Sequence, residues 1–202
     1  IKKDINSRFY LTTMAHNNTE IEVKFPLRNV EQVINFLKNN AEKKIEKTVQ
    51  IDTYFTPFHK NFLEPDYPFQ WLRIRESDRG VVLNYKHFYP ENEKNVDYCD
   101  EFEVTISNPI VKKILECLDC KKLIEVKKER RSWMYKDVEI SVDNIEELGA
   151  FVELEITTHF DDPKQAKEYL YSLVKEIGAD VGEEDYRGYP FILLEKRGYK
   201  FN

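Results

Sequence analysis

Seven stretches of this chain alternate between apolar and charged residues, and within each stretch the charges keep to one side. Side chains two apart along a strand point to the same face, so this parity is geometric. Glu20, Glu22 and Lys24 share a face, opposite Ile21, Val23 and Phe25. Arg73 and Arg75 oppose Leu72 and Ile74. Asn84 and Lys86 oppose Leu83 and Tyr85. Glu101 and Glu103 oppose Phe102 and Val104, and Lys128 and Arg130 have one parity. Glu139, Ser141 and Asp143 oppose Val138, Ile140 and Val142, while Glu153 and Glu155 oppose Val152, Leu154 and Ile156. One such strand is ordinarily a solvated sheet face carrying cross-strand ion pairs, each worth roughly 0.2–1 kcal/mol. Seven together point elsewhere. The ionic face is poor in Thr, Ser and Gln, and Glu has poor strand propensity. The alternation predicts a barrel or tunnel with an ionic interior and an apolar outer face covered by helices.

The remaining elements follow from local signals. Asn29 reads as the cap of a helix carrying Val30, Val33, Ile34 and Leu37 at helical spacing. Residues 49–56 read as a strand, 57–68 as a loop rich in Pro and aromatics, and Asp78 to Gly80 as a hairpin turn between strands over 71–75 and 81–88. Residues 100–106 form a further strand. Asn108 and Pro109 start a helix that runs to about Asp119. Strands are expected near 122–128, 130–136, 138–143 and 150–158. A helix follows from Pro163 with Ala166, Tyr169, Leu170 and Leu173 on one stripe, and Gly178 ends it. Strands predominate and few helices intervene, so the class is antiparallel α+β. Residues 1–18 read as a polar N-terminal extension and 19–202 as one domain.

Composition narrows the partners. Thirty-one Lys and Arg stand against 37 Asp and Glu, a net charge of −6. A nucleic-acid binder usually shows a basic footprint, and an electrostatic membrane partner a polybasic one, so neither is expected. No apolar run approaches the ~18–20 residues of a membrane span, and no signal-peptide pattern opens the chain. Three cysteines cannot all pair internally. The expectation is a reduced, cytoplasmic protein. Cys117 and Cys120 lack the further ligands that a structural zinc site needs and read as incidental. No P-loop or dinucleotide-binding glycine motif is present.

An ionic interior needs charge compensation. Clustered carboxylates suit Mg²⁺ or Mn²⁺, and Arg and Lys suit phosphate oxygens, Arg two at a time. Both signs in one cavity describe a metal–polyphosphate site.

The ordered motifs resemble the CYTH domains, or triphosphate tunnel metalloenzymes, which include class IV adenylyl cyclases and thiamine triphosphatases. Glu20, Glu22 and Lys24 match the family's ExExK signature. Asp52, Tyr54 and Phe55 resemble its second strand; Leu72 to Arg75 its LRxR strand; Tyr85 and Lys86 its lysine strand. Glu101 with Glu103, then Val126, Lys128 and Arg130, follow in family order. Asp143 and the run from Leu148 to Glu155 resemble the D…LGxFxExE block. Arg187, Gly188 and Tyr189 are similar to a C-terminal motif in which Ser is usual at the middle position. The likeness spans roughly residues 19–195.

The resemblance implies an antiparallel eight-stranded β-barrel with helices packed on the outside. It implies that Lys24, Arg73, Arg75, Lys86, Lys128, Arg130 and, less directly, Arg187 face the phosphates. Glu20, Glu22, Glu101, Glu103, Asp143, Glu153 and Glu155 would supply the metal pole for Mg²⁺ or Mn²⁺. Glu20, Glu22, Lys24, Lys86 and Arg130 would act most directly in catalysis. Trp71 has a counterpart that contacts the organic moiety in thiamine triphosphatases, and reads equally well as a packing aromatic. The reaction implied is adenylyl cyclase-like, ATP to cyclic AMP and pyrophosphate. Hydrolysis of thiamine triphosphate or tripolyphosphate is the alternative, and non-catalytic binding of polyphosphate a weaker one. A homodimer is left open.

Overall fold

The computed structural model describes residues 19–201; the expected N-terminal extension, residues 1–18, lies outside them. One antiparallel sheet dominates. Its strands are β1 (Thr19–Glu20), β2 (Glu22–Pro26), β3 (Lys43–Thr56), β4 (Gln70–Ser77), β5 (Gly80–Tyr89), β6 (Tyr98–Ile106), β7 (Lys121–Tyr135), β8 (Val138–Ile145) and β9 (Gly149–Ile156). The spatial order is β1-β6-β5-β4-β3-β7-β8-β9-β2. β1 and β2 are consecutive in the chain yet sit at opposite ends of that order. They are one strand that changes partners at Ile21: Glu20 pairs with Cys99 of β6, and Glu22 with Glu155 of β9. This strand draws the two sheet edges together into a nearly closed barrel, and counting it once gives the eight strands expected.

The barrel separates two cores by strand parity. Outward residues of β2, β8 and β9, such as Val23, Ile140 and Leu154, pack beneath α1 (Val30–Asn40) and α3 (Pro163–Glu176). Each helix presents one apolar stripe, Val33, Ile34 and Leu37 in α1 and Ala166, Leu170, Leu173 and Val174 in α3. Asp162 caps α3 by accepting from the Lys164 N–H at 2.9 Å, and Gly178 past its end has φ 66°. The second core is inside the barrel, at one end. There the inward residues Tyr54, Trp71, Phe88, Val126 and Phe151 meet Tyr189, Phe191, Leu193 and Leu194 of α4 (Tyr189–Lys196), which plugs that end.

Several expectations change. β7 is a single 15-residue strand rather than two, because it pairs with β3 and β8 at once. β3 begins before residue 49 for the same reason. α2 spans only Val111–Cys117; Asn108 instead accepts from the Ile110 N–H in a turn ahead of it. α4 was not expected, since its mostly apolar sequence has no helical alternation to read. Among the described residues no helix is long and apolar enough to cross a membrane.

Candidate active site

The charged faces of the strands converge on one cavity of about 480 Å³ inside the barrel. Six basic side chains line it, Lys24, Arg73, Arg75, Lys86, Lys128 and Arg130, together with six glutamates, Glu20, Glu22, Glu101, Glu103, Glu153 and Glu155. Its apolar lining comes from Tyr54, Trp71, Phe88, Ile156, Tyr189 and Pro190. The alternation places the charged ones: each comes from the inward face of its strand, while outward residues of β2, β8 and β9 fill the core beneath α1 and α3 and outward Phe102 and Val104 of β6 stay exposed.

The acids gather at one side. Carboxylate oxygens of Glu20, Glu22 and Glu155 lie within 4.8 Å of one another. Lys86 bonds Glu20 and stands 3.6 Å from Glu101 and 3.9 Å from Glu22. Lys24 bridges Glu22 at 2.7 Å and Glu153 at 3.0 Å. The Cys99 thiol donates to Glu20 at 3.2 Å. Asn84 donates to Glu101, and to Glu103 at 3.4 Å.

The bases are anchored from behind. Arg75 donates twice to Asp52, at 2.7 and 2.8 Å, and Arg73 approaches the same carboxylate at 3.4 Å. Arg130 donates twice to Asp143, at 2.8 and 2.7 Å, and once to Glu153 at 2.8 Å. Lys128 lies 3.5 Å from Asp143, and the Tyr189 hydroxyl donates to it at 2.8 Å.

Electrostatics divide the carboxylates. Burial, with Glu22 and Glu101 nearby, pushes Glu20 up to about 7 against the pull of Lys86. Burial and the charges of Glu20, Glu22 and Glu153 raise Glu155 well above the usual range. Burial would also raise Glu101, but Lys86 and Arg73 outweigh it and hold it at about 2. Glu153 is likewise held low, by Arg130 and Lys24, against its burial. Burial and the neighbouring Arg130 lower Lys128 to about 7, with Asp143 opposing. Glu20 and Glu155 are thus the crowded, undercompensated members of the acidic group. A hard dication with oxygen ligands fits such a cluster, because its charge relieves the repulsion that raises them.

Two expected residues stand elsewhere. Asp143 is fully buried behind the cavity wall, with its oxygens taken by Arg130, Lys128 and Tyr189. Arg187 lies with its guanidinium 4.0 Å from the Phe191 ring centre and 5.3 Å from that of Tyr67, outside the cavity lining. Trp71 does line the cavity but is only 3% exposed, and its indole N–H is bonded to the Arg187 carbonyl. Gly188 has φ 85°, a conformation in which a serine would be strained. Asp52, Asn84 and Tyr189 were missed as site residues. Parity marks Asp52 and Asn84, each on the same face as charged neighbours across the sheet. Nothing short of the fold brings Tyr189 back to Asp143.

The sequence matches the model of the CYTH domain over residues 18–189. A Methanocaldococcus jannaschii protein named "Putative adenylate cyclase" is 33% identical over 181 residues, covering 89% of this chain and 98% of the relative. Among solved structures, PH1819 from Pyrococcus horikoshii superposes with TM-score 0.73 at 27% identity, covering 88% of this chain and 99% of that one. A Hippeastrum protein described as a "Putative adenylyl cyclase" that reveals a dominant triphosphatase activity shares the fold, at TM-score 0.57 and 17% identity, over 89% of this chain and 95% of its own. With motifs, barrel and family match in agreement, this chain belongs to the CYTH domain family.

Proposed function

We propose that this protein is a divalent-metal-dependent enzyme that binds a triphosphate in the barrel cavity and converts ATP to cyclic AMP and pyrophosphate. One observation carries the reading. One cavity brings an acidic cluster, Glu20, Glu22 and Glu155, together with basic side chains that include Arg73, Arg75 and Arg130. A pure anion binder would gain affinity by losing those acids, so their presence favours a metal and turnover. The name of the M. jannaschii relative supports the cyclase over other triphosphate chemistry.

In this reading the guanidinium and ammonium groups bind the phosphate chain and balance charge on its oxygens. Mg²⁺ or Mn²⁺ held by Glu20, Glu22 and Glu155, when bound, would supply Lewis-acid polarisation of phosphoryl oxygens. Catalysis is then mostly positioning and electrostatics, as is usual for phosphoryl transfer. The ribose 3′-hydroxyl oxygen forms a bond to the α-phosphorus and gives up its proton to water, as the bond from that phosphorus to the bridging oxygen of pyrophosphate breaks and pyrophosphate leaves. Lys24 and Lys86, ion-paired with Glu22, orient the acidic cluster in this reading.

Product identification tests the proposal. The protein is incubated with ATP, thiamine triphosphate and tripolyphosphate, each with Mg²⁺ or Mn²⁺. Cyclic AMP and pyrophosphate from ATP are expected. Orthophosphate without cyclic AMP would reassign the protein as a triphosphatase. Tight binding without turnover would make it a sensor, and absence of binding to all three would overturn the tunnel reading.

A further inference from the structure

β3 sets Asp52 directly across from Arg75 of β4, and β8 sets Asp143 directly across from Arg130 of β7. The two pairs have the same construction. In each, the arginine gives its Nε–H and one Nη2–H to the two oxygens of its aspartate, at 2.7–2.8 Å. Both carboxylates are fully buried and neither lines the cavity, whereas both arginines do. A second cation leans on each acid: Arg73 on Asp52, Lys128 on Asp143.

This geometry has a chemical consequence. A bidentate carboxylate fixes the plane of a guanidinium as well as its position. It occupies the Nε edge and leaves the Nη1 side for another acceptor. Arg otherwise carries large rotamer freedom, which binding a phosphate would have to remove. Neither aspartate lines the cavity, so each acts on a ligand there through the groups it holds, chiefly the arginine it grips twice. We propose that Asp52 and Asp143 are positioning residues, which hold Arg75 and Arg130 as a preset cradle whose remaining N–H donors face the cavity. For Asp143 this replaces the metal role that its motif implies. The proposal rests on the triphosphate-binding reading above.

A double-mutant cycle tests it, with tripolyphosphate as the probe and affinity read by calorimetry. Asp52→Asn and Arg75→Gln should each weaken binding about tenfold, and the double variant should be no weaker than Arg75→Gln alone. Losses that simply multiply would overturn the proposal while leaving the binding site intact. Failure of the unaltered protein to bind tripolyphosphate would instead overturn the site reading. The double variant exchanges a buried ion pair for a neutral amide pair, so no charge is left buried alone. Asp52→Glu gives a second measurement that keeps the charge and moves it by one methylene. A several-fold loss of affinity in Asp52→Glu supports positioning; wild-type affinity would mean that Asp52 only balances charge.

Discussion

Trp71 donates its indole N–H to the backbone carbonyl oxygen of Arg187 at 2.9 Å, joining β4 to the turn that leads into α4. The ring also meets Tyr54 edge-on, with centroids 5.7 Å apart. Trp71 therefore belongs to the apolar end of the barrel, and one of its bonds holds the plug in place.

Trp71→Phe keeps an aromatic ring and loses that bond. It should cost about 1 kcal/mol in denaturant unfolding. Affinities for ATP and for tripolyphosphate should change together. A loss confined to ATP would give Trp71 a contact with the organic moiety instead.

The acidic cluster predicts metal affinity. Glu22→Gln and Glu155→Gln should each weaken Mn²⁺ binding on the order of tenfold, since site charge sets cation affinity. Glu103→Gln should weaken it far less, because Glu103 is exposed at the cavity edge and stands outside the cluster. Titration of each variant with Mn²⁺ checks this. Turnover should stop with EDTA and return with Mg²⁺ or Mn²⁺.

The barrel and the cavity lining were legible because one rule, alternation at a period of two, governs both. Glu22 and Val23 declare opposite faces wherever the strand lies. What alternation cannot report is depth along the barrel. Asp143 and Glu153 both point inward, yet Asp143 lies one level nearer the plug, opposite Phe151, and is sealed behind Arg130. The direction of Arg187 is illegible for a related reason: it belongs to a turn, where no periodicity fixes direction, and its guanidinium packs on Phe191. α4 escaped notice because burial on most sides removes the polar stripe that marks a surface helix.

Lys128 predicts a pH dependence. Burial beside Arg130 lowers it to about 7 in the folded protein, against about 10.4 when unfolded. Between these values the unfolded chain binds more protons, so this group makes stability rise with pH from about 7 towards 10. Below about 7 its contribution is flat. Lys128→Met should remove that rise, read as the difference in Tm between variant and wild type over pH 7 to 9.5. Tripolyphosphate should return a proton to Lys128, so binding at pH 8 should take up protons. Calorimetry in buffers of different ionisation enthalpy measures that uptake.

Tyr189 links the plug to the phosphate wall, and its substitutions should separate two contributions. Its hydroxyl donates to Asp143, while its ring lies 4.9 Å from the Lys24 ammonium and 5.2 Å from that of Lys128. Tyr189→Phe keeps the ring under both lysines and removes one donor from a buried carboxylate that retains Arg130. The expected cost is about 1.5–3 kcal/mol of stability, the range for a bond to a charged group. Tripolyphosphate affinity should fall only slightly, because the bidentate grip on Arg130 survives. Tyr189→Leu also removes the cation–π contacts, each worth about 0.5–2 kcal/mol, from two ammonium groups that line the cavity. It should lower affinity as well as stability. Equal affinities in the two variants would show that the ring serves packing alone, and that the lysines are held by Glu22, Glu153 and Asp143 without it.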